Sequence, residues 1–334
     1  MEYFFNYEKA KFENIPCAIC KGTLFFTLAT RSKNNLKART VMCKQCGLIF
    51  ISPRMSAKDY DDYYKYHYRK DRDAIKGSSN EEDLELNWKH AIEFGKGLAK
   101  TMGQFLKDGL TRDVGSSTGG VLAGLKELKP KLEILGIEPS LSESEYANSH
   151  GVKTITKIFE DYVKENQERK QERKEDAQNV FCVQSLNHLL DPAGFLEWSH
   201  EVLKEGGHIF LAVKNFKHQV RRAGSIEGGI QIDHVYMFTP ETLKLLVESR
   251  GFKVVYLDVD EGKSKEEITE QRKIGLNKHH IRLVARKIPN PTRFDLVLQG
   301  RTLLKEKLSF SRFGIKLIYL LKYSRFSKFN PFKT

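Results

Sequence analysis

The sequence has few cysteines and no long apolar run, and its first fifteen residues lack an uninterrupted apolar segment. None of its apolar stretches approaches the ~20 residues that an α-helix needs to span a bilayer. Residues 1–15 are interrupted by Glu2, Asn6, Glu8 and Lys9, so they lack the apolar centre of a secretory signal peptide. The chain has five cysteines. We therefore expect a cytoplasmic protein, in a reducing compartment where disulfides are rare.

Four of the cysteines form two matched pairs, Cys17-x-x-Cys20 and Cys43-x-x-Cys46. A C-x-x-C turn brings two sulfurs to one ion, and two such turns supply the four thiolates of a tetrahedral zinc site without an open position. We therefore expect a structural zinc ion, with two disulfides or free thiols as the alternatives. The fifth cysteine, Cys182, lies in an apolar run and is expected to be a small buried side chain.

Positive charge is concentrated at the end of the chain. The formal net charge is +13, and residues 301–334 carry nine cations against the single acid Glu306, which accounts for +8. Apolar side chains alternate with these cations and predict a basic amphipathic extension. Such a segment packs on the protein's own core or contacts an anionic membrane surface, so peripheral contact with the inner face of the membrane is one hypothesis.

Strand-like and helical patterns alternate through the middle of the chain, which predicts an α/β fold with a parallel, doubly wound sheet. The domain boundaries follow from these patterns. We expect a zinc-binding module over residues 1–71, a linker and leading helix over 72–108, the α/β domain over 109–287, and the basic extension over 288–334.

A glycine-rich turn, Asp113-Val-Gly-Ser-Ser-Thr-Gly-Gly120, stands between a strand and a helical run. Gly115 and Gly119 have no Cβ, so a ligand can approach the backbone amides at the start of the helix. Glu138 ends the next strand and is placed to accept hydrogen bonds from ribose hydroxyls. Because Ser117 stands where a G-x-G-x-x-G motif has its second glycine, the pattern is a weak match to dinucleotide-binding proteins.

This turn resembles the first motif, D-x-G-x-G-x-G, of class I S-adenosylmethionine-dependent methyltransferases. Three later segments are similar to further parts of that family: its fourth strand and loop, its fifth strand with the preceding helix, and the stretch before its sixth strand. They are residues 180–192, 201–211 and 234–252. The resemblance spans about residues 84–287 and implies a Rossmann-like, seven-stranded sheet that binds S-adenosyl-L-methionine.

The first part of the chain carries a narrower resemblance. Residues 43–54, followed by an aromatic stretch over 60–68, look like the zinc-binding front end of a bacterial methyltransferase subgroup associated with sugar and cell-surface glycan modification. This resemblance implies methyl transfer to a hydroxyl or carbon of a saccharide or related small molecule, in cell-surface glycan biosynthesis.

Two other functions compete with this interpretation. An RNA methyltransferase would also combine a four-cysteine module with this core. Nucleic acid is nevertheless an unexpected partner, because the cations concentrate in an apolar tail and no RNA-binding motif is visible. A non-catalytic cofactor-binding or scaffold protein is the second alternative. It is suggested by Ser117 and by Asn187, which stands where the family's loop usually has glutamate. The oligomeric state is left open.

The family resemblance also implies individual site residues. The expected cofactor-binding residues are Asp113, Gly115, Ser116, Gly119, Glu138, Pro139, Phe159, Glu160 and Gln184. His188 and His234 are the candidate bases, because imidazole titrates near neutrality and can accept a hydroxyl proton. Each could instead order its loop or line a lid. Lys214 and Tyr236 are candidate substrate contacts, and residues 221–222, both arginines, could close over an anionic substrate.

Overall fold

The N-terminal part of the protein is a small antiparallel sheet followed by a short helix. The computed structural model describes residues 5–68, 80–169, 176–289 and 296–310. A π-helical turn, Tyr63–His67, continues the short helix. The elements of this part are β1 (Phe12–Glu13), β2 (Phe25–Arg31), β3 (Lys37–Cys43), β4 (Ile49–Ile51), β5 (Arg54–Met55) and α1 (Ala57–Asp62).

Strands and helices alternate in the rest of the described chain. A long first helix precedes the first strand, and a last helix follows the last strand. The elements are α2 (Asn80–Met102), β6 (Gly109–Val114), α3 (Gly120–Leu128), β7 (Leu132–Glu138), α4 (Leu141–Ser149), β8 (Thr154–Thr156), α5 (Phe159–Arg169), β9 (Ala177–Val183), α6 (Pro192–Val202), β10 (Leu203–Lys214), α7 (Phe216–Ala223), β11 (Tyr236–Met237), α8 (Pro240–Glu248), β12 (Phe252–Asp258), α9 (Lys265–Lys273), β13 (His280–Lys287) and α10 (Leu296–Ser309).

Seven strands form the main sheet, in the order β12-β13-β10-β9-β6-β7-β8. This is the doubly wound α/β fold that the sequence predicts. The sheet is not wholly parallel, because β13 runs antiparallel to both of its neighbours. Its first residue, His280, pairs with Lys214 at the carboxyl end of β10. The segment that contains α9 therefore stays at the carboxyl edge of the sheet, and β13 begins where β12 ended.

Side chains from both faces of the sheet are buried. Along β9, Val180 and Cys182 belong to one hydrophobic core, whereas Phe181 belongs to the other. A strand covered on both faces reads as a continuous apolar run, which is why the sequence of β9 shows no alternation. Cys182 is fully buried, as predicted.

The two sheets are connected through a strand from the α/β part. Strand β11 pairs antiparallel with β4, so Tyr236 lies opposite Phe50 and extends the N-terminal sheet to the order β11-β4-β3-β2. Arg54 adds a contact, because its guanidinium donates to the backbone carbonyl of Leu190 at 2.5 Å. The N-terminal module is therefore docked directly on the segments that follow β9 and α7.

Helix α10, the described start of the basic extension, packs on the protein. Its Glu306 is fully buried, accepts a hydrogen bond from the Thr239 hydroxyl at 3.0 Å and lies 3.1 Å from the Lys217 ammonium. Residues 311–334, which hold most of the predicted amphipathic stretch, lie outside the described residues. Among the helices that the structure describes, none combines the length and apolar character needed to cross a bilayer.

Candidate functional site

The four paired cysteines meet in one cluster. The Sγ atoms of Cys17 and Cys46 are 3.4 Å apart, as are those of Cys20 and Cys43, and all four lie within 4.8 Å of one another. These distances exclude disulfides, in which sulfurs are ~2.05 Å apart. Tetrahedral zinc with Zn–S bonds of about 2.3 Å requires sulfurs about 3.8 Å apart. The donor set therefore fits one zinc ion held by four sulfurs.

A cavity of about 970 Å³ opens at the carboxyl end of the main sheet. It is lined by ten of the eleven residues that the sequence analysis assigns to the cofactor and the base. They are Asp113, Gly115, Ser116, Glu138, Pro139, Phe159, Glu160, Gln184, His188 and His234. The remaining residue, Gly119, caps α3 with φ of +79°, and a Cβ there would lie 2.9 Å from the Val152 side chain. Gly119 thus shapes the turn without lining the cavity.

The glycine-rich turn is held by contacts that only its own residues allow. Gly115 has φ of +73°, and a Cβ on it would be 2.3 Å from the Ser185 hydroxyl oxygen. Ser185 in turn donates a hydrogen bond to the Gly115 carbonyl at 3.0 Å. Ser117 also has a left-handed backbone, with φ of +50°, although it is not glycine. Its amide donates to the Glu138 carboxylate at 2.8 Å, so the strained residue contributes to the site.

Two buried carboxyl groups face this turn. Glu138 accepts backbone N–H bonds from Ser117 at 2.8 Å and Ser140 at 2.9 Å, and burial raises its pKa to about 8. Asp113 is 1% exposed, and its Oδ1 has no hydrogen-bond partner among the described residues. Burial raises the pKa of Asp113 to about 8 as well. A buried acceptor without a donor is costly, so this end of the cavity fits a ligand that donates hydrogen bonds or carries positive charge.

The other predicted cofactor residues hold the walls of the cavity. Phe159 packs edge-on against Trp198, with ring centroids 5.1 Å apart. Glu160 accepts the Leu190 backbone amide at 3.1 Å, so it ties the start of α5 to the loop after β9. Burial raises the pKa of Glu160. Gln184 directly follows β9 with φ of +59°, where the chain turns into that loop.

His188 has a defined tautomer. Its Nδ1 lies 2.8 Å from the backbone carbonyl oxygen of Asp233 and 3.0 Å from the Tyr64 hydroxyl. Since a carbonyl oxygen only accepts, Nδ1 carries the proton and Nε2 carries the lone pair. Burial lowers the pKa of His188 below its usual value, so the ring is neutral at pH 7. The residue therefore offers a neutral Nε2 that can accept a proton.

An ionised carboxylate stands between the two histidines. Asp233 Oδ2 is 4.0 Å from Nδ1 of His188 and 4.0 Å from Nε2 of His234, and the two rings are 4.7 Å apart. Burial would raise the pKa of Asp233, but His234, His188 and Lys214 together hold it below the usual value. Burial lowers the pKa of His234 far below its usual range. The carboxylate is placed to stabilise an imidazolium that forms beside it.

These three side chains could also ligate a metal ion, because their ligand atoms lie within 4.8 Å of one another. The Lys214 ammonium is close enough to shift the pKa of Asp233, however, and this nearby positive charge disfavours a cation at this position.

Sequence reasoning missed that the N-terminal module lines part of the cavity. Its contributions include Tyr64 from the π-helical turn and Lys33 from the loop between β2 and β3. The aromatic stretch over residues 60–68 was visible in the sequence, but nothing local indicated that it would lie against His188. Asp233 was also missed, although its position directly before His234 was an available signal.

The candidate substrate contacts have different positions. Lys214 lines the cavity at the end of β10. Tyr236 does not, because its place in β11 buries its ring beside Phe50. Arg221 lies 3.8 Å from Glu261, and neither Arg221 nor Arg222 is among the residues that line the cavity. That these arginines close over an anionic substrate stays a prediction.

Comparison with known proteins finds similarity to methyltransferases. Residues 98–257 match the family model described as a methyltransferase domain. The ubiquinone biosynthesis O-methyltransferase of Vibrio atlanticus (strain LGP32) is 32% identical over 36% of this chain and 49% of its own length. That of Aliivibrio fischeri (strain ATCC 700601 / ES114) is 29% identical over 31% of this chain and 43% of its own length. The chain thus spans about half the length of the curated relatives it matches.

Solved structures are similar at a lower level. The plantazolicin methyltransferase BpumL in complex with SAH is 12% identical, with a TM-score of 0.48, over 68% of this chain and 93% of that one. An S-adenosylmethionine-dependent methyltransferase from Mesorhizobium loti is 12% identical, with a TM-score of 0.44, over 58% of this chain and 100% of that one. Likeness at these scores carries no weight for function.

Proposed function

We propose that this chain, whose residues 98–257 match a methyltransferase domain, is an S-adenosylmethionine-dependent methyltransferase that acts on a hydroxyl group of a small molecule. The observation that carries this proposal is the meeting of two sites in one cavity. The glycine-rich turn and its two buried carboxyl groups form one end, and the neutral Nε2 of His188 belongs to the other. Methyl transfer to a hydroxyl needs both a cofactor site and a base within reach.

The residues at the first end fit S-adenosyl-L-methionine. Glu138 would accept hydrogen bonds from the ribose hydroxyls, and the partnerless Asp113 oxygen would accept from another donor of the same ligand. Gly115 lines this end, and its missing Cβ lets Ser185 pack against the turn. Phe159, Glu160 and Gln184 would bound the ligand along the cavity wall. The bound cofactor supplies an activated sulfonium methyl group, so the protein has chiefly to orient the acceptor, exclude water and accept a proton.

The proton of the acceptor hydroxyl would move to Nε2 of His188. The Nδ1–H bond to the Asp233 carbonyl and the contact with Tyr64 hold the ring in the required orientation. The Asp233 carboxylate then stabilises the imidazolium. Asp233 and His234 therefore have positioning and electrostatic roles, and His188 is the base. The proton leaves to solvent after the methylated product departs.

Zinc binding is part of the same proposal. The four sulfurs of the cysteine cluster would hold one structural zinc ion, with no open coordination position for chemistry. The ion would stabilise the turns before β2 and β4, and through them the module that carries Tyr64 and Lys33. A metal assay on purified protein is expected to give one zinc per chain; a value near zero in folded protein contradicts this proposal.

A saccharide or related small molecule is the acceptor class we propose to test first, within cytoplasmic steps of cell-surface glycan biosynthesis. Four tyrosines from the N-terminal module line the cavity, namely Tyr60, Tyr63, Tyr64 and Tyr68. Aromatic faces with polar tips suit a ligand that has both apolar C–H surface and hydroxyls. The relatives named for ubiquinone biosynthesis support O-methylation of a small molecule, and transfer to carbon is the alternative chemistry.

The test combines binding with turnover. Calorimetric titration of the full chain with S-adenosylhomocysteine is expected to show one site. Release of S-adenosylhomocysteine from S-adenosylmethionine would then be measured with neutral and acidic saccharides, catechols and transfer RNA. Turnover with RNA alone would favour an RNA methyltransferase. Binding without turnover on any acceptor, crude extract included, would favour a non-catalytic protein. No binding to folded protein would overturn the proposal.

Peripheral membrane contact through the basic extension is a separate proposal. It is supported by the cations of residues 301–334, whose first part forms the exposed face of α10. Co-sedimentation with vesicles containing an anionic lipid, compared with neutral vesicles, tests it. Equal recovery with both vesicle types contradicts it.

A further inference from the structure

Lys214 is a cation inside the cavity that shares the Asp233 carboxylate with two histidines. It stands at the carboxyl end of β10, is only partly exposed and lines the cavity. Within the described parts of the chain, its ammonium makes no ion pair within 4.0 Å and no side-chain hydrogen bond. Burial lowers its pKa, the Asp233 carboxylate raises it and the Lys33 ammonium lowers it again. A partly desolvated ammonium that shares its counter-charge with other groups is stabilised further when a ligand supplies a second negative charge.

Lys33 reaches the same end of the cavity from the N-terminal module. Its backbone amide donates to the Ile230 carbonyl at 3.1 Å, and its ammonium donates to the Gln231 side chain at 2.8 Å. These two bonds hold the loop between β2 and β3 against the segment that carries Asp233 and His234. The position of Lys33 is therefore set by the docking of the module.

The charges at this end do not cancel. Lys33 and Lys214 are positive, Asp233 is the negative group that acts on both histidines, and lowered pKa values keep His188 and His234 neutral. One positive charge is in excess, although Asp233 must remain free to stabilise the imidazolium. An additional anion would balance this excess without displacing the carboxylate.

We infer that Lys33 and Lys214 form a subsite for an oxyanion on the acceptor, either a carboxylate or a phosphoryl group, next to the hydroxyl that is methylated. This inference rests on the proposed function and narrows its acceptor to acidic molecules. Lysine suits the task, because its ammonium is a compact point charge with three donors. The two cations come from segments 181 residues apart in the chain, so the subsite exists only when the module is docked.

The experiment uses inorganic phosphate and acetate as probes on the full chain, with and without saturating S-adenosylhomocysteine. Binding is followed by broadening of the phosphate ³¹P and ¹³C-acetate resonances. Saturable binding of phosphate alone assigns the subsite to a phosphoryl group, and binding of acetate as well assigns it to a carboxylate. Broadening that does not saturate with either probe overturns the inference.

Variants locate the site. Lys214→Gln is expected to weaken anion binding about tenfold, which corresponds to ~1.4 kcal/mol, and Lys33→Gln about threefold. Lys214→Arg keeps the charge and is expected to retain binding. The exposed Lys204, on the same strand, supplies the matched control Lys204→Gln. Equal anion affinity in Lys214→Gln and Lys204→Gln contradicts the inference. Unchanged S-adenosylhomocysteine affinity shows that the variants are folded, and it separates failure of this inference from failure of the proposed function.

Discussion

The two ends of the cavity are built in different ways. The proposed cofactor end comes mainly from one stretch, residues 113–140, in which β6 and β7 pair in parallel and two backbone amides hold the Glu138 carboxylate. Phe159, Glu160 and Gln184 add its walls. The acceptor end is assembled from five separate segments. Its side chains are Lys33, Tyr64, His188, Lys214, Asp233 and His234.

The difference predicts which end is robust. Backbone hydrogen bonds of a central parallel sheet open only with the whole domain, so the cofactor end should survive local damage. The acceptor end depends on the docking of a small module through β11 and β4 and through two bonds of Lys33. Loss of that docking should remove substrate recognition while cofactor binding remains.

Removal of the proposed zinc ion should give the largest difference between the two ends of the cavity. Cys43→Ala is expected to abolish zinc binding and unfold the module, because structural zinc contributes ~10–16 kcal/mol of apparent binding free energy. Methyl transfer should be lost, whereas S-adenosylhomocysteine affinity should stay within about threefold. Metal analysis, calorimetry and turnover on one sample check this, with Cys182→Ala as the control that keeps its zinc. Transfer by zinc-free protein would show that the two ends are not separable in this way.

Replacement of the base should affect only the acceptor end. His188→Asn is expected to lower the rate of transfer by ~10²–10⁴, the usual contribution of a general base. S-adenosylhomocysteine affinity should not change. The exposed His150 provides the matched control His150→Asn, which should keep full activity. If His188→Asn retains wild-type turnover, then His188 orders its loop and is not the base.

Replacement of Glu138 should affect only the cofactor end. Glu138→Ala is expected to weaken S-adenosylhomocysteine binding about tenfold to a hundredfold, since it removes the acceptor of the ribose hydrogen bonds. Each such bond contributes ~0.5–1.5 kcal/mol with a neutral carboxyl and ~1.5–3 kcal/mol with an ionised one. Glu133→Ala, at an exposed position on the same strand, is the control. Calorimetry checks both variants. An affinity within a few-fold of wild type in Glu138→Ala would mean that the ribose does not bind this carboxylate.

The pH dependence of turnover should report on His188. The base must be neutral, so the rate at saturating cofactor should rise with pH and reach a plateau. Burial lowers the pKa of His188, which places the midpoint below the usual value of 6.5. Below the midpoint the rate should fall tenfold per pH unit. Asp233→Asn removes the charge that favours the imidazolium and should move the midpoint lower still. A midpoint above pH 7 is incompatible with this assignment.

Substitution of Ser117 should have the smallest effect, and this effect should be on the free energy of unfolding. Its left-handed backbone is strained for a residue with a Cβ, so Ser117→Gly is expected to raise the free energy of unfolding by up to ~1 kcal/mol. Denaturant unfolding measures this, and S-adenosylhomocysteine affinity should change little because the backbone N–H to Glu138 is retained. Ser116→Gly, at a residue without positive φ, should not stabilise. A loss of stability in Ser117→Gly would mean that the serine side chain offsets the strain.

Local patterns predicted that the glycine-rich turn and Glu138 come together. A strand, a glycine-rich turn and a helix are adjacent in sequence, and parallel strands bring their carboxyl ends together, so Asp113 and Glu138 had to lie close to each other. The antiparallel direction of β13 was not predictable in the same way. The direction of β13 depends on whether the segment with α9 stays at the carboxyl edge of the sheet or crosses to the opposite edge. The alternation of helix and strand in the sequence does not contain that information.

The sequence by itself determined the α/β class, the clustering of the four cysteines and the stretch that forms the cofactor end, because each depends on short spacings and on periodicity. Only the tertiary structure decided that Tyr64 meets His188, that Lys33 and Lys214 face the same end of the cavity, and that Arg221 does not. The first two arrangements join residues more than a hundred positions apart, and the third depends on how α7 is oriented. They are set by how the module docks on the main sheet, and no local pattern encodes that geometry.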